Sequence, residues 1–180
     1  MEFIPAAARR YAEAAFELAL ERDELDRWAD DLRALAEVLA EPGAAAFFES
    51  ARVPEAEKER VLEQVLAGIG ALAWNLVRLL VSRGRLGLTP QIALAFQELV
   101  DEHRGVAHAV VSTAVLLTAP QVEAVAARLG ELTGKQVVVE AREEPGIIGG
   151  LVARIGDQFI DGSTRGKLES LKRELEGTVR

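Results

Sequence analysis

The stretch "ELVDEHRGVAHAVVSTAVLL", residues 98–117, is where the chain changes character. Up to Arg104 the apolar residues recur at helical spacing. After Gly105 the composition turns β-branched and partly alternating, the period of a strand, which this reading carries through Leu117. Gly105 stops the helix because a glycine just past the last turn adopts a left-handed backbone without steric cost. The change divides the sequence into a helical part, residues 1–105, and a mixed part, residues 106–180, so the expected fold class is α+β.

Upstream of this junction the pattern predicts a bundle of six helices. The first runs from Pro5 to about Arg22, with Tyr11, Ala14, Ala15 and Leu18 on one stripe and Ala12, Phe16 and Ala19 on another. Apolar residues thus cover more than one face, the pattern of a helix buried on two sides. Leu25, Trp28, Leu32, Leu35 and Leu39 alternate at three and four, a core-facing stripe that ends at "EPG". A short apolar helix covers residues 44–48. Pro54 then opens a helix with Glu55, Glu57 and Glu59 in its first turns, where the dipole favours acids, and with Val61, Leu62, Val65 and Leu66 facing inward. A fifth helix spans residues 71–82. A sixth starts with Thr89 as its cap and Pro90 at its first position.

Downstream, the pattern reads β-α-β-β-α. "TAPQ" at 118–121 is a capping box that opens a helix ending at Gly134. "KQVVVEAR" and "IIGGLVARIGDQFID" read as two strands joined at "EEPG", so an antiparallel pair is expected. Ser163 caps a final helix carrying Leu168, Leu171 and Leu175.

Composition restricts function. The chain carries 49% hydrophobic residues and no cysteine, which removes disulfides, thiolate metal sites and a cysteine nucleophile. Its net charge of −8 argues against a nucleic-acid backbone, for which Lys and Arg supply most of the affinity. Residues 1–105 hold 12 basic and 19 acidic side chains and the rest hold 9 and 10, so the acidity belongs to the helical part. No stretch reaches the roughly 18 apolar residues that crossing a bilayer requires, and direct membrane insertion is not expected.

Catalytic constellations are missing as well. "GSTRGK", Gly162 to Lys167, is short of a phosphate loop: three residues separate its glycines, and Leu168 stands where a magnesium-binding hydroxyl is needed. His103 and His108 are five apart across the Gly105 break and do not share a helix face. The carboxylate pairs Asp30 and Asp31, Glu57 and Glu59, and Glu143 and Glu144 read as solvated charge. No cofactor, metal or catalytic residue is expected.

Three segments carry a family resemblance. "GIIGGLVARIGDQFIDGSTRGKLESL" (146–171), "ARRYAEAAFELA" (8–19) and "LLVSRGRLGLTPQI" (79–92) resemble, in order, the δ subunit of bacterial F-type ATP synthases, equivalent to the mitochondrial oligomycin-sensitivity-conferring protein. The resemblance implies a non-catalytic connector of the peripheral stalk, monomeric, one copy per complex, peripheral at the cytoplasmic face of the cell membrane. It implies two partners: the N-terminal helix of an α subunit, gripped between the first and fifth helices, and the distal, C-terminal ends of the b subunit dimer, joined by residues 106–180. The matching groove positions are Tyr11, Ala14, Ala15 and Leu18 on the first helix and Asn75, Leu76 and Leu79 on the fifth. Gly149, Gly150, Ile155, Gly156, Asp161, Gly162, Ser163 and Gly166 belong to the family signature, with a structural role. The competing readings are a small acidic helical interaction or regulatory module, a nucleic-acid-binding module, and a nucleotide enzyme built on "GSTRGK".

With no shared core expected at Gly105, calorimetry should resolve two unfolding transitions. A single transition with equal calorimetric and van't Hoff enthalpies is the contrary result.

Overall fold

The computed structural model describes residues 4–156, 158–164, 166 and 168. It is α+β, with seven α-helices and a mixed four-stranded sheet among those residues. The chain forms two compact units, Met1–Val100 and Asp101–Arg180, and the division falls in the last turn of the helix that Gly105 terminates.

The first unit contains α1 (Ala6–Glu21), α2 (Leu25–Ala40), α3 (Pro42–Glu49), α4 (Glu55–Val65), α5 (Ala71–Ser82), a 3₁₀ turn (Leu86–Leu88) and most of α6 (Thr89–Arg104). Its core is built from the stripes that periodicity picks out. Trp28, Leu32 and Leu35 of α2 are buried with Leu62, Val77, Leu80, Ile92, Phe96 and Val100. Phe96 is fully buried, with the Trp28 ring stacked on it at 6.3 Å and Phe16 edge-on at 6.2 Å, separations at which aromatic pairs contribute beyond their buried area.

Helix α1 departs from the expected burial on two sides. Its buried stripe is alanine throughout, Ala8, Ala12, Ala15 and Ala19, with Tyr11 and Phe16 half-buried beside it and Ala14 and Leu18 exposed. Four methyl groups leave the helix backbone close to its neighbours, so the larger side chains at its flanks reach the core only in part. Two other details also differ. Val65 ends α4 and is 56% exposed. The Thr89 hydroxyl, fully buried, does not cap α6 but donates to the Leu86 carbonyl at 2.8 Å, the same carbonyl that accepts the Thr89 N–H where the 3₁₀ turn feeds directly into the helix.

The second unit holds β1 (Val106–Thr113), α7 (Ala119–Thr133), β2 (Gln136–Glu143), β3 (Leu151–Ile155) and β4 (Gln158–Asp161), in the sheet order β2-β1-β3-β4. The expected antiparallel pairing of "KQVVVEAR" with the following strand is therefore wrong. β1 lies between them, parallel to β2 and antiparallel to β3. A parallel pair needs a crossover, which α7 supplies, packing Val125 and Leu129 against Ala109, Val111 and Val137. The Glu144 N–H donates to the Thr113 carbonyl at 2.8 Å, so the chain leaves β2 at the end of β1 and passes to the other edge.

"IIGGLVARIGDQFID" is also not one strand. It folds into the hairpin β3–β4, turning at Gly156, whose φ of +55° suits glycine. Nor does β1 run to Leu117. Thr113 is buried, and its hydroxyl donates to the Val115 carbonyl at 2.7 Å, bending the chain out of the sheet and leaving Val115 and Leu116 exposed. Thr118 opens α7 as expected, its N–H donating to the Gln121 side chain at 2.9 Å, and Gly134 closes it at φ +69°. Thr164, Gly166 and Leu168 are helical. Asp157, Lys167, Leu171 and Leu175 lie outside the described residues.

Phe96→Ala should cost about 3–5 kcal/mol, the range for emptying a buried aromatic site. Urea denaturation followed through Trp28 fluorescence measures it.

Candidate functional site

The seven positions that the resemblance assigns to a groove divide by exposure. On α1, Ala15 is buried in the bundle, Tyr11 is half-buried, and Ala14 and Leu18 face outward, Leu18 being 41% exposed. On α5, Leu76 packs partly against the same core, whereas Asn75 is exposed and Leu79 is 42% exposed. Tyr11, Ala14 and Leu18 follow one another at three and four residues, and Asn75 and Leu79 at four, so each helix presents a single row. A hydrogen bond connects the two helices' surroundings: Arg85 Nη1, just beyond α5, donates to the Tyr11 hydroxyl at 3.2 Å. Arg85 is absent from the sequence-based set. Its signal was only one of the two arginines in the "RGRLG" turn, and its relation to Tyr11 spans 74 positions.

The signature residues converge on one turn of the second unit. Gly149 and Gly150 precede β3, Asp161 closes β4, and Gly162, Ser163 and Gly166 lead into the following helix. Two backbone bonds lace these segments: Gly162 N–H to the Leu151 carbonyl and Thr164 N–H to the Gly149 carbonyl, each 2.9 Å. Gly150 sits at φ +84°, and a Cβ there would overlap the Gly162 carbonyl oxygen and lie 2.9 Å from Ser163 Cα. Any side chain would force the two backbones apart. Gly166 is similarly constrained, since a Cβ would fall within 2.8 Å of all three atoms of the Asp161 carboxylate. Ile155 and Gly156 stand at the far end of β3, Ile155 packed partly against the sheet core.

Ser163 is buried and caps the turn, its Oγ accepting the Gly166 N–H at 3.0 Å. Its own N–H donates to Asp161 Oδ1 at 2.8 Å. The Ser163 hydroxyl, and after it the Ser163 N–H, hold the Asp161 carboxyl below the usual carboxylate range. This network bears on the phosphate-loop question. The Ser163 and Gly166 amides point at acceptors supplied by the protein, and a carboxylate lies against the turn where a phosphate loop would present its anion site.

Elsewhere, His108 Nε2 lies 2.9 Å from Asp101 Oδ2 at the start of β1, and its ring is well exposed. Asp30 pairs with Arg33 and Glu57 with Arg60, both at i,i+3 on exposed helix faces. Among the described residues no three His, Cys, Asp or Glu side chains cluster in a way that could hold a metal ion. None of the described helices is long and apolar enough to cross a membrane.

Comparison with known proteins agrees over nearly the full length. A family model described as "ATP synthase delta (OSCP) subunit" matches residues 7–175. The ATP synthase subunit delta of Dehalococcoides mccartyi is 38% identical over 170 residues, covering 94% of both chains. That of Rubrobacter xylanophilus is 34% identical over 171 residues, 94% of this chain and 96% of its own. Among solved structures, a chain of the Toxoplasma gondii mitochondrial ATP synthase hexamer, determined by electron cryo-microscopy, superposes with a TM-score of 0.67 at 25% identity, over 95% of this chain and 98% of that one.

Two substitutions probe the turn. Gly150→Ala should destabilise the second unit by at least about 1–3 kcal/mol, the usual cost of a side chain at a strained positive φ. Asp161 has its folded pKa below its unfolded value, so it adds stability above the unfolded pKa of about 4, and that contribution disappears as pH falls through the folded value. Asp161→Asn should therefore lower the urea midpoint at neutral pH, and the gap to the wild-type chain should narrow below about pH 4. A gap independent of pH is the contrary result.

Proposed function

Because this chain belongs to the ATP synthase delta (OSCP) subunit family, whose members are non-catalytic components of the peripheral stalk, we propose that it acts as the connector between catalytic head and stalk. In this reading the six helices of residues 1–105 form one bundle that receives the N-terminal helix of an α subunit between α1 and α5. Residues 106–180 join the C-terminal ends of the b subunit dimer. One monomeric copy, peripheral at the cytoplasmic face of the cell membrane, holds the head against rotor torque.

The observation that carries this reading is the paired exposure of Leu18 and Leu79, at 41% and 42%, on two helices whose inner faces enter the same core. Neither leucine belongs to the buried core, and each continues a row of small or amphipathic residues. That is the pattern an amphipathic helix requires of its groove: apolar anchor points, small residues for close approach and a polar group at the rim. Ala14 provides the small position, Tyr11 a rigid ring and Asn75 the rim amide. Ala15 contributes from within, since a larger residue in its buried place would push α1 outward. The chemistry at the Asp161 turn points the same way, because its amides serve the fold and the protein acts through its surfaces.

Titration of the full chain with a peptide copying the α subunit's N-terminal helix should give saturable one-to-one binding, followed by Trp74, the neighbour of Asn75 on α5. Leu79→Asp should weaken binding at least about tenfold, as truncating an interface anchor does. Val65→Asp, at a more exposed position on α4, should leave it unchanged. Equal effects of the two substitutions would remove the groove from α1 and α5.

A further inference from the structure

The "RGRLG" turn after α5 places two arginines against the rows that carry Leu18 and Leu79. Arg83 continues the α5 row, four residues beyond Leu79. Arg85 reaches the α1 row at its first member, its Nη1 donating to the Tyr11 hydroxyl at 3.2 Å. The backbone fixes where Arg85 starts from. Gly84, at φ +60°, closes α5: its N–H donates to the Val81 carbonyl at 3.0 Å and the Arg85 N–H to the Leu80 carbonyl at 2.8 Å, the paired bonds of a Schellman turn. Leu86, the next residue, is buried in the core of the bundle. The guanidinium therefore extends from an anchored point.

An arginine bonded to a phenol is out of keeping with the rest of this acidic unit. Arg9, Arg27, Arg33, Arg60 and Arg78 are each ion-paired with a glutamate or aspartate. Arg83 and Arg85, both exposed, form no ion pair among the described residues, although Glu49 lines the same shallow depression as Arg85. A guanidinium has five N–H donors and no acceptor, and a phenol that accepts one of them keeps its own proton to donate. The Tyr11–Arg85 pair thus presents N–H and O–H donors, with a positive charge, to whatever lies on Tyr11.

We propose that Arg85 determines which helix is accepted between α1 and α5: the partner must present a carboxylate to this guanidinium at the Tyr11 end. The proposal rests on the reading in which an α-subunit helix lies in that place, and adds to it the residue and the charge that select the partner. A helix resting on Tyr11 removes the neighbouring guanidinium from water. Without an anion, that burial leaves an uncompensated charge; a carboxylate replaces the lost hydration with charge-assisted hydrogen bonds, which the planar fork can make in pairs. A helix that is apolar or basic at this position is rejected by the penalty as much as by the missing contact. Arg83 adds to the positive potential of the same turn, so the acidic side chain also fixes how far along the two rows the helix lies.

The test uses the full chain and a peptide copying the N-terminal helix of the α subunit from the same organism, with its carboxylates replaced by amides one at a time. One replacement should weaken binding to the unaltered chain at least about tenfold, and Arg85→Gln should show the same loss. Combined, the two changes should cost no more than either alone, as expected of a direct pair. Arg85→Glu should bind poorly, and a peptide with arginine in place of that carboxylate should restore binding. Full-strength binding by Arg85→Gln overturns the inference and leaves the helix between α1 and α5. Losses that simply add overturn it too, since Arg85 then does no more than hold Tyr11 in place. Tolerance of every carboxylate replacement by the unaltered chain is a third contrary result, and it requires no variant of the chain to fold. Failure of the unaltered chain to bind the unaltered peptide overturns the α-subunit contact and this inference together.

Discussion

Backbone meets backbone at Gly150 and Gly162, and the second unit is organised around that contact. The β3 strand begins where the chain has just crossed from the β2 edge to the far side of β1, and the helix after β4 begins at the same end of the sheet. Both segments must share one small space. They do so because neither glycine carries a side chain, because Gly162 and Thr164 donate to carbonyls of Leu151 and Gly149, and because the Asp161 carboxylate fills the volume above Gly166. Removing any of these makes the strand and the turn compete for the same position. The first unit uses the same device in milder form. The alanine stripe of α1 brings a helix rather than a loop close to its neighbours, and the outward orientation of Leu18 follows from it.

Helix positions were legible in the sequence because their signals are local. The Leu25 to Leu39 stripe with its stop at "EPG", Pro54 at a helix start, and Gly105 and Gly134 at helix ends each act through residues within a turn or two. Strand partnership is not local. Nothing within "KQVVVEAR" states that its neighbour is β1 rather than the next strand, because the choice depends on α7 fitting over one face as a crossover. The hairpin at Gly156 was missed for a related reason: a fifteen-residue stretch read as one strand hides its turn when a single glycine marks the bend. Thr89 illustrates a third limit, a hydroxyl whose acceptor is chosen by a 3₁₀ turn that periodicity does not reveal.

Of the site positions, Leu18, Leu79 and Asn75 were reachable by resemblance, but their exposure became visible only once the alanine stripe was known to be the buried side of α1. The sheet face that α7 does not cover was written in the alternation of "LVARI", where Val152 and Arg154 oppose Leu151, Ala153 and Ile155. Its neighbours followed only from the pairing with β1 and β4, which brings Val110 and Phe159 alongside. Neither surface depends on the many exposed ion pairs, such as Arg33 with Asp30 or Arg128 with Glu131. Such pairs contribute little in high dielectric and weaken further in salt.

On the proposed reading, a connector built from two units with separate small contacts would gain more than their separate affinities suggest. When one contact opens under load, the other keeps the free end within reach, and reclosure is governed by an effective concentration that short tethers hold near the millimolar range. Micromolar contacts then suffice for an attachment that rarely releases at both ends. On that reading, modest patches such as the rows carrying Leu18 and Leu79, each with a polar neighbour, would meet that requirement. They also spare the free protein a large exposed apolar surface, which would promote aggregation before assembly.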